Sequence, residues 1–282
     1  MVCHYTAVPA TRSDDRPVLK GTVAAAMTPL CDGGASIDIA AIGPYVDFLA
    51  AGGVDGIFAL GSTGEGVLLE AHERRLIVES FREATAGRLD LAVHAGAMST
   101  QQTVALAAHA AEVGADAVAV IAPPYYPFTA EGLLEHFAAA AAACFPVPFY
   151  AYEFEARSGY PIPVEVIERL RERAPNLAGM KTSDKPFSAV QPYLLDGLDI
   201  FVGFEPMIPE ALAAGAAGSV SGLAAVFPAA VVELVRNPSP EGVRRVEELR
   251  ALVDPILPKG KVELARQGLM RVDVRAPMMP AA

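Results

Sequence analysis

The sequence predicts an α/β protein, a single (β/α)8 barrel of the TIM type with additional C-terminal helices. Three observations carry this reading. Short apolar, β-rich runs alternate with segments of helical spacing, and the alternation repeats eight times in units of about 25 residues. The runs are near-continuously apolar, as strands buried on both faces must be. Units of this length cannot be closed by hairpins, so the strands run parallel with helical crossovers. Eight of them in one chain of 282 residues favour closure into a barrel over the alternative, an open flavodoxin-like sheet with extra strands.

In chain order, residues 1–19 lack periodicity and are expected to form a loose arm. The strand runs are Gly21–Leu30, Asp55–Gly61, Asp90–Gly96, Asp116–Pro123, Val147–Phe154, Leu177–Ser183, Asp199–Glu205 and Gly218–Ala224. Apolar residues recur at helical spacing over Asp38–Ala51, Ala71–Ala86, Ser99–Val113, Ala130–Ala143, Val164–Ala174, Phe187–Leu195, Ile208–Ala214 and Pro228–Arg236. The Ala-rich stretches among them are strong helix formers suited to an outer ring. Two more helical segments follow between residues 240 and 270. The domain reading is therefore a barrel over residues 20–237 and a helical extension over 238–282 packed upon it, with no Pro/Ser linker or charge run between them.

Composition narrows the function. Hydrophobic residues make up 52% of the chain, which excludes a disordered or collagen-like protein. The formal charge of -11, without a basic stripe, argues against nucleic acid and anionic membrane as partners. No apolar stretch reaches the ~20 residues of a membrane span, and no leader pattern opens the chain. Cys3, Cys31 and Cys144 are too few and scattered for a disulfide framework. The expected setting is the cytoplasm.

In a barrel of this kind the chemistry sits at the carboxyl ends of the strands. There the most informative residue is Lys181, which follows the apolar run Leu177-Ala178-Gly179-Met180 in a chain with 5 lysines and 17 arginines. Burial disfavours an ammonium, so a lysine in the barrel mouth is an amine available to attack a carbonyl and form an imine. A structural lysine paired with a carboxylate such as Glu205 is the alternative. Gly61-Ser62-Thr63-Gly64, at the end of strand two, offers hydroxyls and backbone N–H groups suited to a carboxylate, although a plain βα turn reads the same way. Tyr152 places a phenol where it can shuttle a proton, unless it is simply core. Arg157 can clamp a second carboxylate bidentately or form a surface ion pair. His4, His72, His94, His109 and His136 show no metal-binding spacing and are expected to be structural or exposed, so no metal is expected. GxSxG and GxGxxG are absent, which leaves a serine triad and a dinucleotide site without anchors.

Taken together, Gly61-Ser62-Thr63-Gly64-Glu65, Pro124-Tyr125-Tyr126, Tyr152 ahead of Arg157-Ser158-Gly159, and Gly179-Met180-Lys181 resemble the dihydrodipicolinate synthase/N-acetylneuraminate lyase family, in order and spacing over about residues 20–230. The resemblance implies a barrel enzyme in which Lys181 forms a Schiff base with pyruvate or a related 2-oxo acid. It further implies that Ser62 and Thr63, after Gly61, hold the oxo-acid carboxylate, with Ser62 also in the proton relay. Tyr152 relays protons, and Tyr126 crosses a dimer interface to complete the relay in a partner's site. Gly203 and Val220 match contacts on strands seven and eight, and the usual assembly is a homotetramer built as a dimer of dimers.

The implied activity is that of a cofactor-independent lyase or synthase of the class I aldolase type, making or breaking a C–C bond between a 2-oxo acid and an aldehyde. Alternatives are 4-hydroxy-tetrahydrodipicolinate synthase proper, a 2-keto-3-deoxy sugar-acid aldolase or dehydratase, and, in another class, a non-catalytic 2-oxo acid binding protein. Arg157-Ser158-Gly159 resembles the synthases, and Ser62 the neuraminate lyases. Two departures stand out: Glu153-Phe154-Glu155 replaces a neutral residue and a proline after the tyrosine, and Gly96-Ala97-Met98 lacks the asparagine that helps many synthases bind feedback lysine. Strand alternation would put Glu153 and Glu155 on one side and Tyr152 and Phe154 on the other. The two carboxylates then either line the acceptor pocket, favouring a neutral or cationic aldehyde, or pair with Arg157 or neighbouring helices.

Overall fold

The computed structural model describes residues 19–281. Apart from Leu19, the arm expected over residues 1–19 lies outside the described residues, as do Cys3 and His4.

Eight parallel strands close into a barrel: Gly21–Ala25, Gly56–Ala59, Asp90–His94, Ala117–Ile121, Phe149–Glu153, Leu177–Thr182, Asp199–Val202 and Gly218–Ser221. Each pairs with its chain neighbours, and the first pairs with the eighth in the register Gly21↔Gly218 to Ala24↔Ser221. A Cβ at Gly218, where φ is +159°, would collide with the Gly21 carbonyl, so the seam closes on a residue without a side chain.

The parity of each strand sorts its side chains into two cores. Val23, Ala25, Phe58, Ala92, Ala119, Tyr150, Tyr152, Ala178, Phe201 and Val220 fill the barrel interior. The alternate residues, such as Ile57, Val93, Val118, Ala151, Met180 and Ile200, pack against the helices outside. The long outer helices begin at side-chain caps. Ser99 Oγ accepts from the Gln102 amide ahead of Thr100–Glu112, Thr129 Oγ1 from Gly132 ahead of Ala130–Cys144, and Ser239 Oγ from Gly242 ahead of Pro240–Leu252. A last helix covers Ile256–Arg266.

Departures from the sequence reading fall at element ends. The first run, expected to reach Leu30, stops at Ala25, and Leu30–Cys31 instead forms a two-stranded ribbon with Ser36–Ile37. The expected helix over Phe187–Leu195 shrinks to Phe187–Val190 and a 3-10 turn at Gln191–Tyr193, because Pro192 cannot donate in a continuing helix. The fifth run ends at Glu153 rather than Phe154, and Glu155–Ser158 turns into a short helix of its own.

Candidate active site

Lys181 lies on strand six, where it pairs in register with Tyr152 on one side and Phe201 on the other. Its side chain turns into the barrel and is 5% exposed. The Nζ atom sits 4.2 Å from the Tyr152 ring centroid and 4.5 Å from that of Phe58. Two π faces at this distance can hold a positive charge placed between them. Glu205, the partner that a structural reading of Lys181 requires, is engaged elsewhere. Its Oε2 meets Arg250 Nη1 at 2.7 Å, and its Oε1 accepts from Ser221 Oγ at 2.7 Å. The lysine therefore ends on aromatic faces.

His94 forms the floor of this cage. Its ring lies edge-on to Tyr152 at 6.0 Å and tilted to Phe58 at 6.1 Å. Nδ1 stands 3.1 Å from the Leu60 carbonyl and Nε2 3.3 Å from the Ile121 amide, so Nδ1 carries the proton and Nε2 accepts. Burial, with help from Arg74 and Lys181, pushes this imidazole down to about 3, which keeps it neutral. The carbonyl it holds belongs to Leu60, whose φ of 62° is strained for a side-chain-bearing residue and sets the entry to Gly61-Ser62-Thr63-Gly64.

That turn is wound tightly: the Gly64 and Gly66 amides both donate to Gly61 O, and Thr28 Oγ1 donates to Gly64 O at 2.6 Å. A Cβ on Gly64 would come within 2.9 Å of the Ala26 carbonyl. Ser62 is exposed at its tip and Thr63 half-buried, with Thr63 Oγ1 against Gly222 beyond strand eight. Val220 is buried in the same interior core as Tyr152 and Phe58. Gly203, just past strand seven, donates its amide to Thr182 O at 2.7 Å and has no room for a side chain against Ser183.

A stack of side chains leads outward from the cage. Phe154 stacks on Tyr152 at 6.3 Å, and the Arg157 guanidinium lies 5.6 Å from the Phe154 centroid. Lys181, Tyr152, Val220 and the Gly61–Thr63 turn are thus gathered at one end of the barrel, with Arg157 at its rim. Tyr126 is set apart. It is 62% exposed on the loop after strand four, edge-on to Tyr125 at 4.8 Å and to Phe128 at 6.4 Å.

Strand alternation misplaces the two glutamates. Glu155 leaves the strand and is exposed in the Glu155–Ser158 turn. Glu153 points to the outer face, away from Tyr152, and is buried; its Oε2 accepts from the Ile162 amide at 2.7 Å. It neither lines the barrel mouth nor pairs with Arg157, whose guanidinium rests on Phe154.

The sequence reading also missed Phe58 and His94 as walls of the lysine cage. The signal for His94 was present: it alone of the five histidines falls in a predicted strand. Among the described residues no group of three or more His, Cys, Asp and Glu side chains could hold a metal ion. Nor is any helix among them long and apolar enough to cross a membrane.

Replacing His94 with phenylalanine keeps the ring but strips both hydrogen bonds, leaving a carbonyl and an amide buried without partners. The expected cost is about 2–4 kcal/mol in urea unfolding at pH 7. Below the ordinary histidine range the unfolded chain binds a proton that the folded chain refuses. The wild type should therefore lose stability as pH falls from about 6.5 towards 3, and the variant should lack that share of the slope. Parallel stability–pH curves would show that His94 does not act this way.

The model of the Dihydrodipicolinate synthetase family matches residues 18–282. N-acetylneuraminate lyase of Homo sapiens is 36% identical over 210 residues, 72% of this chain and 65% of the lyase. The chain thus spans slightly under two thirds of that relative's length. Among solved structures, Proteus mirabilis N-acetylneuraminate lyase superposes with a TM-score of 0.85 at 31% identity, covering 94% of both chains. Dihydrodipicolinate synthase from Aquifex aeolicus superposes with a TM-score of 0.83 at 26% identity, covering 94% of this chain and 93% of that one.

Proposed function

The chain belongs to the dihydrodipicolinate synthetase family, and from that premise we propose that it is a Schiff-base lyase of the class I aldolase type, joining or cleaving pyruvate or a related 2-oxo acid and an aldehyde. The observation that carries this reading is Lys181, an amine buried at the barrel mouth on two aromatic faces and without a carboxylate partner in Glu205.

The amine attacks the keto carbon, water leaves, and an iminium forms between the Tyr152 and Phe58 rings. That iminium is an electron sink. In the synthetic direction a proton leaves the methyl carbon, and the enamine so formed attacks the aldehyde carbon. The new alkoxide takes a proton, and water then releases the product from Lys181. In the cleavage direction the same steps run backwards. The amides and hydroxyls of Gly61-Ser62-Thr63 are placed to take the oxo-acid carboxylate, with Val220 and Gly203 completing the wall. Tyr152 serves the proton transfers by position rather than by basicity, since phenols are poor bases in water. Arg157 at the rim is suited to a carboxylate on the aldehyde. The 36% identity to a neuraminate lyase supports carbon–carbon cleavage of an acidic sugar as the first activity to test.

Tyr126 fits a second copy of the chain. With Tyr125 it forms an exposed aromatic edge that continues through Phe128 to Tyr160, and a partner seated there would receive the phenol. We place the enzyme in the cytoplasm as a homotetramer built from such pairs.

The test is incubation with pyruvate and borohydride, then peptide mass spectrometry, followed by longer 2-oxo acids. A reduced adduct on Lys181 supports the proposal. No adduct with any of them would make the chain a 2-oxo acid binding protein or less. In the Tyr152→Phe enzyme the adduct should still form while turnover falls about 10²–10³-fold, because the ring that holds the cation stays and the relay hydroxyl goes. Turnover within threefold of wild type would remove Tyr152 from the relay.

A further inference from the structure

Glu153 has an unusual setting for a carboxyl group. The side chain is 2% exposed on the outer face of strand five. Oε2 accepts from the Ile162 amide at 2.7 Å, and Oε1 meets no N–H or O–H donor. The groups that face it are acidic or phenolic on every side: Asp184 from the loop after strand six, Glu155 from the short helical turn, Tyr160 from the following loop, and Tyr193 from the 3-10 turn. Both phenols are committed elsewhere, Tyr160 donating to Pro123 O and Tyr193 to Ile162 O, each at 2.6 Å. Asp184 faces Glu153 most closely of these groups, and two carboxyl groups brought within hydrogen-bond reach need a proton between them.

Asp184 already works as an acceptor. Its two carboxylate oxygens lie 3.1 and 3.3 Å from the Glu155 amide, at the start of the turn that presents Arg157. The turn is closed by the Arg157 and Ser158 amides on Phe154 O and by the Gly159 amide on Glu155 O. Glu153 thus binds the far side of the same loop through Ile162 and its near side through Asp184.

We infer that Glu153 is a positioning residue: it carries a proton, donates it to Asp184, and so pins the Phe154–Tyr160 segment that holds Arg157 at the rim. Loss of that proton sets a bare carboxylate against Asp184 and Glu155 and loosens the segment. Burial, with the neighbouring acids adding, pushes this carboxyl up to about 8, so the release falls near neutral pH. The sign follows: the folded state keeps a proton that the unfolded chain gives up above about 4.5, so the restraint is complete in acid and is lost as pH rises through about 8. Its bearing on acceptor binding rests on the role proposed above for Arg157; the restraint itself does not.

The deciding measurement is hydrogen exchange by mass spectrometry of the peptide covering residues 154–160 in the full-length protein from pH 6 to 9.5, without substrate. Protection in the wild type should fall by up to about tenfold per pH unit as pH rises towards about 8 and level off above it, after correction for intrinsic exchange. Glu153→Gln keeps the shape, donates to Asp184 and accepts from Ile162, so its protection should stay flat. Asp184→Asn should also be flat, because its amide donates to an ionised Glu153 and still accepts from Glu155. Flat protection in the wild type, or the same fall in all three proteins, overturns the inference. A missing pyruvate adduct on Lys181 would instead overturn the catalytic reading, and exchange would still report on the latch.

Discussion

The Lys181→Arg enzyme is expected to fold, to give no borohydride-trapped adduct with pyruvate, and to lose at least about 10⁴-fold in turnover. Arginine keeps a cation that can lie over the Tyr152 and Phe58 rings, so the cage retains its charge. It cannot lose its proton in a protein and so offers no nucleophilic amine. The substitution therefore separates charge from nucleophilicity, which replacement by alanine would not. The longer side chain in a packed interior is expected to cost about 1–3 kcal/mol, and a thermal melt will show whether the fold survives. Turnover within tenfold of wild type in a folded variant would end the imine mechanism and move attention to general acid–base chemistry at Tyr152. Loss of turnover with the adduct still present at another lysine would show that the wrong amine had been assigned.

Lys181 was legible in the sequence because one charged residue at the end of an apolar run has few places to go in a parallel barrel. The strands were legible for a related reason: burial on both faces makes each a nearly unbroken apolar run, which short local windows detect. Long-range ties leave no such trace. The Arg275 amide donates to Glu65 across 210 positions of sequence, and nothing local marks either residue. The turn at Glu155–Ser158 was missed because Glu153-Phe154-Glu155 alternates like a strand, and only the anchor at Asp184 shows that the chain has left it. The strained φ at Leu60 was equally hidden: leucine is a poor choice for that conformation, and the restraint comes from His94 on another strand. In each case the information lies in a partner that sequence order keeps distant.

The largest effect on stability is expected at one of these distant ties. Lys261 and Glu65 are both fully buried, with Nζ 2.5 Å from Oε1. Nζ also donates to the Asp273 carbonyl at 2.6 Å. The other oxygen of Glu65 accepts from the Arg275 amide at 2.6 Å, and the Arg275 guanidinium grips Glu73 through two hydrogen bonds, at 2.7 and 3.0 Å. The C-terminal segment is thereby fastened to Glu65, whose own amide donates to Ser62 O inside the Gly61–Gly64 turn. Lys261→Met fills a similar volume but strands a carboxylate in the interior, and the expected loss is about 3–5 kcal/mol in urea unfolding. Adding Glu65→Gln removes the stranded charge while its carbonyl still accepts from Arg275, so the double variant should regain more than half of that loss. A buried pair retained for packing alone would instead make the single variant nearly neutral, with a loss below about 1 kcal/mol. The pair also bears on the site. If it braces the turn, the folded single variant should need several-fold more pyruvate for half-maximal adduct formation on Lys181, while the double variant returns towards wild type. Equal pyruvate dependence in all three proteins would confine the clamp to stability and leave Ser62 and Thr63 held by Leu60, Thr28 and the turn's own hydrogen bonds.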